Sequence, residues 1–351
     1  MFSKRLEGLV PYVPGEQPRD RRYIKLNTNE NPYPPAPGVL KVLRETDPEI
    51  LRLYPDPEAR ELREALAERH GLGADQVFVG NGSDEVLSFS FYAFFDSGDP
   101  PLLFPYPTYS FYPVYCDFYR IPYKAIHLGP ALRLDLDFFL SEPSGGIIFP
   151  NPNAPTGVGI GGEMIRRFLA SYPPDRIVVV DEAYVEFGGE SVIPLIADHP
   201  NLVVVRTLSK SMSLAGVRVG YALGGPGAVA ALSTVKNSFN SYPLDTMAQK
   251  IAVAALRDPE YYRGTTERII ATRERCAEEI RALAYEVLPS QANFLFVRSR
   301  HVPGAAVQSA LRERGILVRR FESEGIENYL RISIGTDGEM DTLIRELARI
   351  G

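Results

Sequence analysis

Cysteine is nearly absent from this 351-residue chain: Cys116 and Cys276 are the only two, and they stand far apart. A disulfide-stapled scaffold needs more. The four histidines (His70, His127, His199 and His301) are scattered, and no Cys/His group has zinc-site spacing. No apolar run approaches the roughly twenty residues that span a bilayer. The first residues, Met1-Phe2-Ser3-Lys4-Arg5, lack the apolar stretch of a signal peptide. Positive charge is not in excess either: 38 Lys and Arg stand against 44 Asp and Glu, a net charge of −6. Phosphate backbones call for clustered Lys and Arg, so nucleic acid is excluded as the main partner. A local basic pocket for a small anion is not excluded. The expectation is a cytoplasmic protein with no metal, no membrane contact and no nucleic-acid partner.

What is present is ordinary globular material, 45% hydrophobic and 23% charged, in a chain too long for one small domain. Residues 1–37, rich in Pro and charge, read as an extended arm. Residues 38–245 read as a large domain and 246–351 as a smaller one. Glu58–Arg69 has helical spacing, with Leu62 and Leu66 four apart. The buried strand Gln76–Val79 follows, then Gly80-Asn81-Gly82-Ser83-Asp84-Glu85 and a helix through Phe95. Further strands are expected at Leu102–Phe104, Ile147–Phe149, Ile177–Val180, Leu202–Val205 and Arg218–Ala222. Short apolar strands alternating with helices imply a mostly parallel sheet covered on both faces. Beyond about residue 245 a long helix (Asp258–Ala284) precedes strands at Phe294–Val297, Ile316–Val318 and Tyr329–Ile334, a smaller α+β pattern.

The most informative segment is Arg206-Thr207-Leu208-Ser209-Lys210-Ser211, which follows an apolar strand. A lysine there, flanked by small hydroxyl residues, can lose its proton in a pocket and attack an aldehyde. Ser209 and Arg218 stand ready for an anion. Alone, Ser-x-Lys is more often an ordinary loop lysine. Upstream, Asp181 ends the strand Ile177-Val178-Val179-Val180, and a half-buried carboxylate must find a cation or donor. A protonated pyridine nitrogen is one such partner. A metal, a nucleotide or a capping role is the alternative. Tyr184 stands three residues on, within reach of a phenolate oxygen. Asp181 and Lys210 close successive strands, and ligands in open α/β sheets bind beyond the carboxyl ends of strands. The two therefore converge on one crevice.

Gly82, Ser83 and Asp84 sit between strand and helix, where free backbone N–H groups favour a phosphate, although a plain helix cap fits too. Asp84 would repel a phosphate if it pointed inward, so the backbone and Ser83 are expected to bind. Tyr109, in Pro105-Tyr106-Pro107-Thr108-Tyr109, is placed to stack on a flat ring or to pack in the core. A rival motif is Gly157-Val158-Gly159-Ile160-Gly161-Gly162, a G-x-G-x-x-G with Asp181 near the spacing of a ribose-binding acid. Pro150, Pro152 and Pro155 separate strand from glycines and break the run that fingerprint needs. An NAD-binding oxidoreductase also leaves Lys210 without a role.

Taken together these residues resemble the fold-type I pyridoxal-5'-phosphate (PLP) dependent aminotransferases over nearly the whole chain, and within them the histidinol-phosphate aminotransferase family. The likeness rests on Leu26-Asn27-Thr28-Asn29-Glu30-Asn31-Pro32-Tyr33-Pro34, Tyr54-Pro55-Asp56, Asn151-Pro152-Asn153-Ala154-Pro155-Thr156-Gly157, Thr207-Leu208-Ser209-Lys210, Asn293-Phe294 and Leu330-Arg331-Ile332-Ser333-Ile334-Gly335. The resemblance implies an α/β fold, with a mostly parallel central sheet in the large domain. It implies that Lys210 carries PLP as a Schiff base, that Asp181 pairs with the pyridine nitrogen and Tyr184 with the phenolate oxygen, and that Tyr109 stacks on the ring. Gly82, Ser83, Asp84, Thr207, Ser209 and Arg218 would line the phosphate site. Tyr54 would reach the cofactor of a neighbouring subunit, hence a homodimer. Arg331 would bind the substrate carboxylate and Arg319 the substrate phosphate, with Tyr12 and Asn29 touching the substrate. The substrates implied are histidinol phosphate with 2-oxoglutarate, and imidazole acetol phosphate with glutamate. One departure stands out: Ala154 occupies the place where the family often has an asparagine on the phenolate oxygen, so Tyr184 acts alone or Asn153 shifts to help. Related enzymes that transaminate aromatic amino acids or decarboxylate threonine phosphate, and a non-catalytic PLP-binding module, are the alternatives.

Overall fold

The computed structural model describes residues 2–98 and 100–350. Among these residues no helix is long and apolar enough to cross a membrane. The described residues form two sheets. Strands β1 (Ile24–Leu26), β2 (Val77–Asn81), β3 (Leu102–Tyr106), β4 (Tyr123–His127), β5 (Gly146–Pro150) and β6 (Val178–Asp181) are followed by β7 (Leu202–Thr207) and β8 (Val219–Gly224). The later strands are β9 (Tyr285–Val287), β10 (Phe294–Ser299), β11 (Ile316–Arg320) and β12 (Tyr329–Ser333).

The larger sheet has the order β2-β8-β7-β6-β5-β3-β4. Strands β4, β3, β5, β6 and β7 run parallel, and β8 is antiparallel to both of its neighbours. Its strands are apolar throughout because both faces are covered. Val178, Val180, Leu202 and Val204 enter one core, while Val179, Val203 and Val205 enter the other. This alternation sets the direction of the polar residues that follow. Asp181 and Thr207 continue the face of Val179 and Val205; Glu182 and Arg206 continue the opposite one.

The smaller sheet has the order β1-β11-β12-β10-β9. Helices Pro259–Ala282, Gly304–Glu313 and Asp337–Ile350 pack with it around a separate core that includes Phe294, Ile316, Ile332 and Leu343. Helix Thr246–Leu256 instead buries Ala248, Ile251 and Ala252 in the larger core.

Three strands escape the periodicity analysis: β1, β4 and the three-residue β9, which follows directly on the long helix. Strand β1 lies in the arm and pairs in parallel with β11, Ile24 opposite Ile316. It is three residues long, with one side chain buried, so no alternation could show. Strand β4 is an edge strand, mostly exposed. The glycines of the rival motif form a loop, 157–161, leading into helix Gly162–Ser171 rather than a strand-to-helix turn.

Candidate active site

A cleft of about 420 Å³ lies beyond the carboxyl ends of β5, β6 and β7. Its walls include Asp181, Tyr184, Thr207, Ser209, Lys210 and Arg218 from the larger sheet and its loops, and Ser83, Asp84 and Tyr109 beside them. Arg319 and Arg331 enter from the smaller sheet, and Tyr12 and Asn29 from the arm. The two residues singled out at the ends of successive strands thus face one crevice.

Asp181 is 5% exposed. It accepts from the Tyr112 hydroxyl at 3.2 Å and the Ala183 N–H at 3.1 Å, and no cation pairs with it among the described residues. Burial pushes its pKa up to about 6, against the lowering effect of those two donors. Lys210 lies on the loop after β7, its Nζ 5.6 Å from the centre of the Tyr184 ring. Asn31 Nδ2 donates to the Lys210 carbonyl at 3.1 Å and ties the arm to this loop. On the opposite face of the sheet Arg206 donates to Glu182 through Nε (3.0 Å) and Nη2 (2.7 Å), and to Glu186 through Nη1 (2.9 Å). That ion pair links the ends of β6 and β7, which carry Asp181 and the Lys210 loop.

Helix Gly82–Phe94 begins directly after β2; the Glu85 carboxylate accepts from the Asn81 N–H at 2.6 Å, while the Asn81 side chain makes no cap. Its first N–H groups are left for a ligand or solvent. The turn is tightly packed. A Cβ on Gly220 would lie 2.2 Å from the Ser83 nitrogen, and one on Gly82 (φ +79°) would lie 2.4 Å from the Arg218 guanidinium. Asp84 does not stand as a bare negative charge: it accepts from Tyr109 at 2.7 Å and pairs with Arg218 at 3.0 Å. Ser209 lies 3.5 Å from Arg218.

Arg319 and Arg331 are directly opposite in the β11–β12 register. Like charges so placed repel, and among the described residues neither forms an ion pair. Arg331 donates only to the Asn27 carbonyl, at 3.2 Å, while its buried Nε has no partner. Burial, and then Arg319, lower its pKa. Arg319 is held by the Pro14 and Val13 carbonyls of the arm, at 3.2 and 3.0 Å. Two cations with unspent donors make this end of the cleft an anion site.

Three residues of the expected set do not line the cleft. Gly82 lies against the Arg218 guanidinium and is not in the cleft wall. Asn153 is buried, its amide donating to the Pro107 carbonyl at 3.3 Å and to Thr156 at 3.0 Å, so Ala154 forms that wall. Tyr54 is 83% exposed and stacks on Tyr242 at 4.8 Å. Sequence reasoning missed Tyr112, the Glu182–Arg206 pair, and Phe111, whose ring stacks on Tyr12 at 4.3 Å and lines the cleft. Tyr112 and Phe111 lie among so many aromatics that nothing distinguished them.

The class I and II aminotransferase family matches residues 21–347. The histidinol-phosphate aminotransferase of Syntrophus aciditrophicus is 52% identical over 353 residues, covering 100% of this chain and 98% of the relative. That of Chromohalobacter salexigens is 53% identical, covering 99% and 98%. The solved structure of the Sinorhizobium meliloti histidinol-phosphate aminotransferase in complex with pyridoxal-5'-phosphate superposes with a TM-score of 0.90 at 26% identity, over 99% of this chain and 97% of that one. The chain belongs to the class I and II aminotransferases, on the branch that holds the histidinol-phosphate aminotransferases.

Proposed function

We propose that this chain is a PLP-dependent aminotransferase that interconverts histidinol phosphate and 2-oxoglutarate with imidazole acetol phosphate and glutamate. The single observation that carries the reading is the convergence of a buried, cation-seeking Asp181 and the amine of Lys210 on one cleft with a paired-arginine anion site.

The residues present fit PLP on three counts. Asp181 lacks a cation, and a protonated ring nitrogen is one. The free N–H groups at the start of the Gly82 helix, with Ser83, Thr207, Ser209 and Arg218 around them, suit a phosphate. Lys210 is the one lysine in the cleft wall among the described residues. PLP, when bound, supplies an aldehyde that captures amines and a ring that takes up the electron pair released at the substrate α-carbon.

The rest falls to the chain. Lys210 Nζ takes the proton from the α-carbon and returns it, as base and then acid. Asp181 would pair with the ring nitrogen and favour its protonated form. Tyr184 would donate to the phenolate oxygen and Tyr109 would cover the ring. Arg331 pairs with the α-carboxylate. Arg319 takes the substrate phosphate, or the second carboxylate of glutamate, because a guanidinium fork fits either. Tyr12 and Asn29 close the cleft from the arm.

We read the protein as a cytoplasmic homodimer. Leu51, Leu53, Tyr54 and Phe239 are all more than half exposed, and a second copy would cover them and bring Tyr54 to the partner's cleft. We place the domain division after helix Thr246–Leu256, which packs in the larger core, with the arm joined to the smaller domain through β1.

Incubation with PLP, histidinol phosphate and 2-oxoglutarate is expected to release glutamate in step with the histidinol phosphate consumed. Release of CO₂ from threonine phosphate, with no glutamate formed from histidinol phosphate, would replace this reading with a decarboxylase.

A further inference from the structure

Tyr184 has a directional hydrogen-bond chain behind it. Asn29 is 1% exposed and sits in the left-handed region, φ 57°. Its backbone N–H donates to Ser333 Oγ at 2.8 Å, and the Asn293 amide donates to its carbonyl at 3.0 Å. Ser333 in turn donates its hydroxyl proton to Asn29 Oδ1 at 3.0 Å. With Oδ1 committed as an acceptor, the other end of the amide is Nδ2. It donates to the Tyr184 hydroxyl oxygen at 2.9 Å. The opposite orientation of the amide would leave the buried Ser333 hydroxyl proton with no acceptor among the described residues, so the network favours this one.

A hydroxyl that accepts from Nδ2 keeps its own proton for another acceptor. The cleft is where that acceptor stands, because Tyr184 lines it. In the wall beside it Ala154 has no polar group, and Asn153, whose amide nitrogen donates to Pro107 and Thr156, does not line the cleft. We propose that Asn29 is a positioning residue, which donates to Tyr184 and so holds the tyrosine as a proton donor into the cleft. The donation is fixed from the smaller sheet and its flanking loop, through Ser333 and Asn293, although Tyr184 follows a strand of the larger one.

This rests on reading the cleft as a PLP site. The measurement is the pH titration of the visible band of the PLP-loaded protein. A donor on the cofactor's phenolate oxygen stabilises the form that has lost the chromophore proton, so removing the donor raises the titration midpoint. Tyr184→Phe is expected to raise it by about one unit. Asn29→Gly keeps the left-handed backbone and its two backbone hydrogen bonds, and is expected to raise the midpoint by roughly half as much. In the Tyr184→Phe background Asn29→Gly is expected to add less than about 0.2 unit, because its partner is gone. Ser333→Ala, which unlocks the amide, is a second variant and shifts the midpoint in the same direction. An unchanged midpoint in Asn29→Gly, or shifts that add in the double variant, overturns the proposal. If the wild-type protein develops no visible band with PLP, the functional reading fails instead.

Discussion

Tyr112 donates its hydroxyl to Asp181 Oδ2 at 3.2 Å, from the core beneath the cleft. That bond is one of two supports for a carboxylate that burial has pushed up to about 6 from 3.8. An acid with a raised native pKa costs nothing below its unfolded value and destabilises the fold as pH rises. The apoprotein should therefore lose stability between about pH 4 and 6, on the order of 2–3 kcal/mol from this group. Denaturant midpoints across that range should show the step in the wild type and a smaller one in Asp181→Asn. Tyr112→Phe should extend the step to higher pH. Parallel wild-type and Asp181→Asn profiles would contradict the account.

Arg331 is the half-buried cation with an unpartnered Nε. Arg331→Ala should raise KM for glutamate by roughly a hundredfold, the loss of a bidentate charged contact. Arg331→Lys should recover only part, since an ammonium lacks the fork. Steady-state kinetics decide it, and an unchanged KM would remove the carboxylate from this position.

Arg319 faces Arg331 across the strands. Arg319→Ala should lower kcat/KM for histidinol phosphate by roughly ten- to a hundredfold, with a smaller effect on the half-reaction with an amino acid that carries no phosphate and no second carboxylate. Equal losses for both would show that Arg319 does not read the phosphate.

Gly220 lets β8 approach the turn at Ser83. Gly220→Ala places a methyl 2.2 Å from the Ser83 nitrogen, so one backbone must move. The expected cost is about 1–3 kcal/mol of stability, with weaker PLP binding because the helix N-terminus shifts. Equilibrium dialysis and thermal melts would register both, and wild-type PLP affinity would contradict the cradle.

The large-sheet strands were legible because burial on both faces writes continuous Val/Ile/Leu runs, as in Val178–Val180 and Leu202–Val205. The meeting of Asp181 and Lys210 was legible because parallel strands bring their carboxyl ends together. Strands β1, β4 and β9 were not, being short or exposed. Tyr112 was hidden because its partner lies 69 positions away. The Asn29–Ser333 contact spans 304 positions and depends on how the arm lies on the smaller sheet, which no local pattern encodes. The turning away of Asn153 follows from the Thr156 hydroxyl and the Pro107 carbonyl taking its amide protons, again a matter of tertiary packing.

The account stands most directly on the amine at Lys210 reaching a cofactor aldehyde in the Asp181 cleft. The visible spectrum of the purified protein, with PLP added and then histidinol phosphate, tests this. The wild type should turn yellow and then bleach as the amino group is transferred. Lys210→Ala should show no lysine-linked band and lose turnover by at least roughly 10⁴-fold. A Lys210→Ala protein that gives the wild-type band and turns over normally would contradict the account.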